Sequence, residues 1–229
     1  MSNWWTGPRV PRGFVTAARA TAAGAVLVFS LAQSAWAVPP ETGTTFTNPQ
    51  AQASLEAGVA ALEDAEALES KRAGAAGKAN DMPSELTDAY TRARTAFMDA
   101  SQNDPAMAEA WNGLGYSQRK LGDYDTALAS YGRALTLKPG YPEATEYRGE
   151  AYLALDRPND AKQAYLDLFA TNRVLADHLL GAMKTWIAAQ IPGTNKAAAA
   201  DLAKWVEERA KIAAQTASLT REGTAASWR

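Results

Sequence analysis

From Ala51 to about Arg72 the chain is rich in Ala, Leu and Glu. There Leu55, Val59 and Leu62 recur at the steps of four and three residues that keep one helix face apolar. "GAAGKANDMP" (Gly74 to Pro83) interrupts this pattern with two Gly and closes on Pro. Ser84 with Glu85, ahead of "LTDAYTRARTAFMDA", marks a second helix, and Pro105 ends the unit. Two helices follow from Ala108 to Pro139, divided at "LGDYD", and another pair runs from Pro142 to about Asn172, divided at "LDRPND". Helical spacing continues through "VLADHLLGAMKTWIAAQ" and, beyond "IPGTNK", through "AAAADLAKWVEERAKIAAQ". Nowhere do apolar and polar residues alternate as in a half-buried strand, so the fold expected is all-α.

The pattern also repeats. Gly115 and Gly149 are 34 residues apart, as are Ala93, Ala127 and Ala161, and as are Phe97, Tyr131 and Tyr165. Ala100 with Ala134 and Pro105 with Pro139 keep the same step. A fixed period of this length signals helical hairpins stacked as a solenoid. The stretch "AEAWNGLGYSQRKLGDYDTALASYGRALTLKP" resembles the tetratricopeptide repeat, a pair of antiparallel helices. Trp111, Leu114 and Gly115 stand at its positions four, seven and eight, and Ala127, Tyr131, Ala134 and Pro139 at twenty, twenty-four, twenty-seven and thirty-two. Gln118 departs from it, at a position that usually holds a large aromatic. Gly115 and Ala127 are small enough to let the two helices cross closely, and Trp111, Leu114 and Tyr131 fill the space around that crossing.

The flanking repeats are looser. The following one keeps Gly149, Tyr152, Ala161 and Tyr165 but has Thr145 and Arg148 at positions four and seven. In the first, Gly58 and Ala93 are 35 residues apart where twelve are expected, which implies about 23 inserted residues. The expected solenoid therefore has about three repeats, over 51–107 with an insertion at about 73–84, over 108–141 and over 142–175. Capping helices at about 174–190 and 196–218 would cover its exposed end, with Leu202, Trp205 and Val206 as an apolar stripe. Residues 219–229 read as a flexible tail.

The beginning of the chain reads differently. Arg9, Arg12 and Arg19 with no acidic residue precede the apolar run "AAGAVLVFSLA", and "SAWA" then offers a small-x-small site ending at Ala37. This order reads as a secretory signal peptide over 1–37, followed by an extended linker over 38–50. The apolar run falls short of the ~20 residues needed to span a bilayer, although a leader retained as an anchor is the competing reading. Cleavage leaves 192 residues with 20 basic and 25 acidic side chains, a formal charge of −5. That balance disfavours a nucleic-acid or anionic-membrane surface. With no Cys, stability has to come from helix packing. "WNGLGYSQRKLG" and "EYRGEAYLAL" are also similar to small exported tetratricopeptide-repeat proteins of Gram-negative bacteria, which implies a periplasmic address and no defined activity.

Candidate chemistry is sparse. His178 is the sole His and stands mid-helix beside Leu179 and Leu180, where a surface or core role outranks that of a general base. Without Cys or further His, a soft or multi-His metal site is excluded. Lys78 of "GAAGK" is followed by Ala79, so the segment is no phosphate loop. No cofactor is expected, and the chain reads as non-enzymatic. Its resemblance implies a concave groove lined by positions two, five, nine and twelve of each first helix. These are Glu109, Asn112, Tyr116 and Arg119, with Lys120 at the edge, and then Glu143, Glu146, Glu150 and Leu153. Glu143, Glu146 and Glu150 share a helix face, which predicts an acidic floor and a basic end suited to a segment bearing Lys or Arg. The carboxylate clamp of heat-shock-chaperone adaptors needs Lys and Asn at positions five and nine and is disfavoured here. The expected role is a periplasmic adaptor or assembly factor holding a protein or peptide in the groove. The alternative is a structural or self-associating subunit of an envelope complex, which leaves room for a homo-oligomer.

Overall fold

The computed structural model describes residues 48–74, 82–190 and 195–225. They form eight helices in chain order: α1 (Pro49–Gly74), α2 (Ser84–Asn103), α3 (Ala108–Lys120), α4 (Tyr124–Leu137), α5 (Pro142–Ala154), α6 (Pro158–Thr171), α7 (Arg173–Gln190) and α8 (Lys196–Ala225). There is no strand among the described residues. Each helix packs against the next, while α1 also touches α3, α3 touches α5 and α5 touches α7. The molecule is thus an all-α stack of hairpins whose first helices lie side by side.

The hairpin crossings follow from the small residues. A Cβ built on Gly115 would stand 2.8 Å from the Tyr131 ring, so α3 and α4 approach as closely as they do only because that atom is missing. The same relation holds in the first repeat, where a Cβ on Gly58 would stand 2.7 Å from Phe97. Gly58 and Phe97 are 39 residues apart, against 16 for Gly115 and Tyr131, and the difference of 23 is the length of the insertion inferred from sequence. Phe97 also faces Gly113 on its other side, at 2.5 Å from a built Cβ. Gly149 behaves differently. It makes room for Leu179 of α7, while Tyr165 turns toward Phe169 and Trp205.

Turn chemistry explains the breaks. Gly122 adopts a left-handed backbone between α3 and α4, with φ 85°. The matching turn between α5 and α6 uses Asp156 in the same region, at φ 56°. Asp tolerates this conformation better than most residues. Its Oδ1 accepts hydrogen bonds from Trp186 Nε1 at 3.3 Å and Gln190 Nε2 at 3.1 Å, which ties the turn to α7.

Some element boundaries differ from the sequence reading. Helix α1 starts at Pro49, inside the segment expected to be extended, because Pro suits the first helical position. Helix α8 runs to Ala225, through most of the expected tail. The proposed leader, most of the linker and the centre of the insertion lie outside the described residues.

The core has two main parts. One joins α1 to α5 through Leu62, Tyr90, Phe97, Tyr131 and Tyr147. The other gathers Leu153, Tyr165, Leu179, Met183, Trp186, Leu202 and Val206 from α5 to α8. Trp186 is fully buried, as its place in a capping helix requires.

Candidate functional site

The residues expected to line the groove come together on α3 and α5, but most of them are not open to solvent. Asn112, Tyr116, Arg119, Lys120, Glu146, Glu150 and Leu153 are all buried, and only Glu109 and Glu143 are partly exposed. Leu153 is a core residue rather than a groove residue. Helix α7 packs onto α5 and encloses it with Leu179 and Met183. Asn112 is completely buried, and its amide donates to the Tyr141 hydroxyl at 3.4 Å.

The charges are engaged within the chain. Arg119 Nη1 lies 2.8 Å from Glu150 Oε2, with both side chains only 7% exposed. Glu150 Oε2 makes no hydrogen bond, so the contact acts by charge. The guanidinium also lies 5.1 Å from the Tyr116 ring centroid and 5.4 Å from that of Tyr147. These two rings meet edge to face with centroids 5.0 Å apart. Arg119 therefore occupies the carboxylate-and-phenol environment that the sequence reading reserved for a cation of the partner. That expectation is corrected, and the reason is tertiary: α3 supplies the counter-charge to α5. The expected basic end is likewise engaged, because Lys120 Nζ is 2.5 Å from Glu69 Oε1 of α1.

Burial sets the protonation states. It pulls the Arg119 guanidinium down, but Glu150, Tyr131 and Tyr116 outweigh it and hold the group above its ordinary value. Burial lowers the Lys120 ammonium, partly offset by Glu69. Burial raises the phenols of Tyr116, Tyr131 and Tyr147, so all three stay protonated at neutral pH. The three phenols and the Arg119 guanidinium thus each keep one protonation state at neutral pH. Among the described residues no group of three His, Asp or Glu side chains is placed to hold a metal ion.

Four participants were invisible in the groove positions. Glu66 and Glu69 come from the part of α1 that extends beyond an ordinary first helix. Tyr147 stands at position six, where the middle repeat has Gly113. His178, read as a packing residue, places Nδ1 3.5 Å from Glu146 Oε1. The 23-residue insertion was the available signal for the two α1 carboxylates, since it lengthens that helix. At the outer edge Glu109 Oε1 accepts from Lys138 Nζ at 3.1 Å, and Glu143 lies in the first turn of α5.

The sequence model of the family described as tetratricopeptide repeat matches residues 108–141, which are α3, α4 and the turn into α5. Such repeats generally mediate interactions between proteins. No curated protein matches the chain.

Proposed function

Because the chain is a tetratricopeptide-repeat protein, we propose that it is a non-enzymatic periplasmic adaptor or assembly factor that binds a protein or peptide partner along the face formed by α1, α3 and α5. The observation that carries this reading is the placement of charge. Buried ionic groups add little net stability compared with apolar packing, yet they gather on this one face. Crossings elsewhere use Ala, Leu and aromatic rings. A partner first meets the partly exposed rim, Glu109 and Glu143 in the first turns of α3 and α5, with Tyr116, Arg119, Lys120, Glu146 and Glu150 buried further along the same two helices. The order of charge, apolar run and small residues before Ala37 supports export with cleavage at that point.

Site-specific photo-crosslinking in a Gram-negative host tests the reading, with the full chain and its own leader. Crosslinkers at Glu109 and Glu143 are compared with one at Arg133, which is exposed on α4. A protein adduct at the first two sites only, in an osmotic-shock fraction whose intact mass begins at Val38, is the expected result. Adducts at Arg133 alone, or an unprocessed chain in the membrane pellet, would refute it.

A second reading, self-association within an envelope complex, is favoured by one feature: α8 has 30 residues against 18 in α7. A dimer mass in light scattering that Ile212→Glu abolishes would select it.

A further inference from the structure

The first repeat is unusual in the length of its leading helix. Helix α1 has 26 residues, twice the 13 of α3 and α5. Its extra turns carry Glu66 and Glu69 to the C-terminal end of α3, where the Lys120 ammonium contacts Glu69 and acts on Glu66 only through its field. Lys120 pairs with Glu69 and also lies 5.1 Å from the Tyr90 ring centroid. Glu66 is 7% exposed, and its Oε1 is buried without a hydrogen-bond partner. Two carboxylates therefore share one buried cation, and that cation is committed to the other carboxylate.

We propose that Glu66 is a proton-operated latch between the first and middle repeats. With its carboxyl protonated, α1 closes on α3; when it ionises, repulsion from Glu69 loosens that junction and opens the face beside it. The groups around Glu66 are Glu63 and Glu69 on α1, Tyr90 on α2, and Tyr116, Arg119 and Lys120 on α3, with Glu150 of α5 behind Arg119. The nearby phenols stay neutral, so they add no negative charge of their own, and Lys120, already paired with Glu69, is the cation within reach of the second carboxylate. Burial, then Glu69, with Glu63 adding, push the carboxyl up to about 7, against the opposing pull of Lys120. Folding thus raises this carboxyl's affinity for its proton. Its contribution to stability is complete below the ordinary carboxylate range and is lost as pH rises through about 7. The latch operates whether or not a partner binds the face.

Three measurements on the full chain test it. Carbon-13 NMR of the Glu66 carboxyl should show a midpoint near neutrality. Urea unfolding should show an unfolding constant that rises roughly ten- to thirtyfold more between about pH 5.5 and 8.5 in the wild type than in Glu66→Gln. The chain has no Cys, so spin labels at Ala60→Cys on α1 and Ala129→Cys on α4 report the junction without background. Their distance distribution should broaden at high pH in the wild type and stay narrow in Glu66→Gln. Parallel pH profiles in both proteins, or a distance distribution that ignores pH, would overturn the proposal. Should Glu66→Gln fail to fold, the wild-type titration decides alone: a midpoint in the ordinary carboxylate range removes the latch.

Discussion

Gly115→Ala is the sharpest probe of how the hairpins are held. The added Cβ would stand 2.8 Å from both Cδ1 and Cε1 of Tyr131, about 0.6 Å inside the 3.4 Å at which ordinary contact begins. Tyr131 is fully buried and its ring also packs against Tyr147 at 6.2 Å between centroids, so it has little room to swivel. Overpacking of this kind costs ~1–3 kcal/mol. Replacing Gly by Ala inside a helix returns up to ~1 kcal/mol through backbone entropy. The net expectation is a loss of about 0.5–2 kcal/mol, read as a lower urea midpoint at unchanged slope. Gly132→Ala is the matched control, because a Cβ there meets nothing within 4 Å. It should stabilise α4 by up to ~1 kcal/mol. Adding Tyr131→Leu to Gly115→Ala should make the pair less damaging than the sum of the single changes by at least ~0.5 kcal/mol. If Gly115→Ala raised the midpoint as Gly132→Ala does, the close crossing of α3 and α4 would not be what the glycine provides.

Phe97→Ala empties the space shared by Gly58 and Gly113 and should cost ~3–5 kcal/mol in the same unfolding assay. A loss below ~1 kcal/mol would mean that α1 and α3 do not both rest on this ring. Arg119→Ala leaves Glu150 buried without its cation and should cost ~3–5 kcal/mol, whereas Arg119→Met with Glu150→Leu should recover most of that loss. Equal losses in both variants would show that the ion pair holds the face by shape and not by charge. Asp156→Ala removes two hydrogen-bond acceptor contacts and puts Ala in a left-handed turn, for ~1–3 kcal/mol, while Asp156→Asn should lose less. Thermal midpoints that do not separate these two variants would assign the effect elsewhere.

What the sequence by itself determined is the architecture. A 34-residue step between Gly, Ala and aromatic positions reflects contacts inside one hairpin, and such contacts recur wherever the hairpin does. The pairing of Gly58 with Phe97 in the first repeat matches that of Gly115 with Tyr131 in the middle one. The tertiary structure decided the state of the candidate face. Spacing placed Glu146, Glu150 and Arg119 on the faces of their own helices, but the partner each would find depended on a neighbouring helix. Arg119 found Glu150 across the gap between α3 and α5, and Lys120 found Glu69 from a helix lengthened by the insertion. Leu153 was enclosed by α7, which follows the third repeat much as another first helix would. A one-dimensional period reports which side of a helix a residue faces. Burial and charge pairing depend on distances between helices, and those were set only when α1, α3, α5 and α7 stacked side by side.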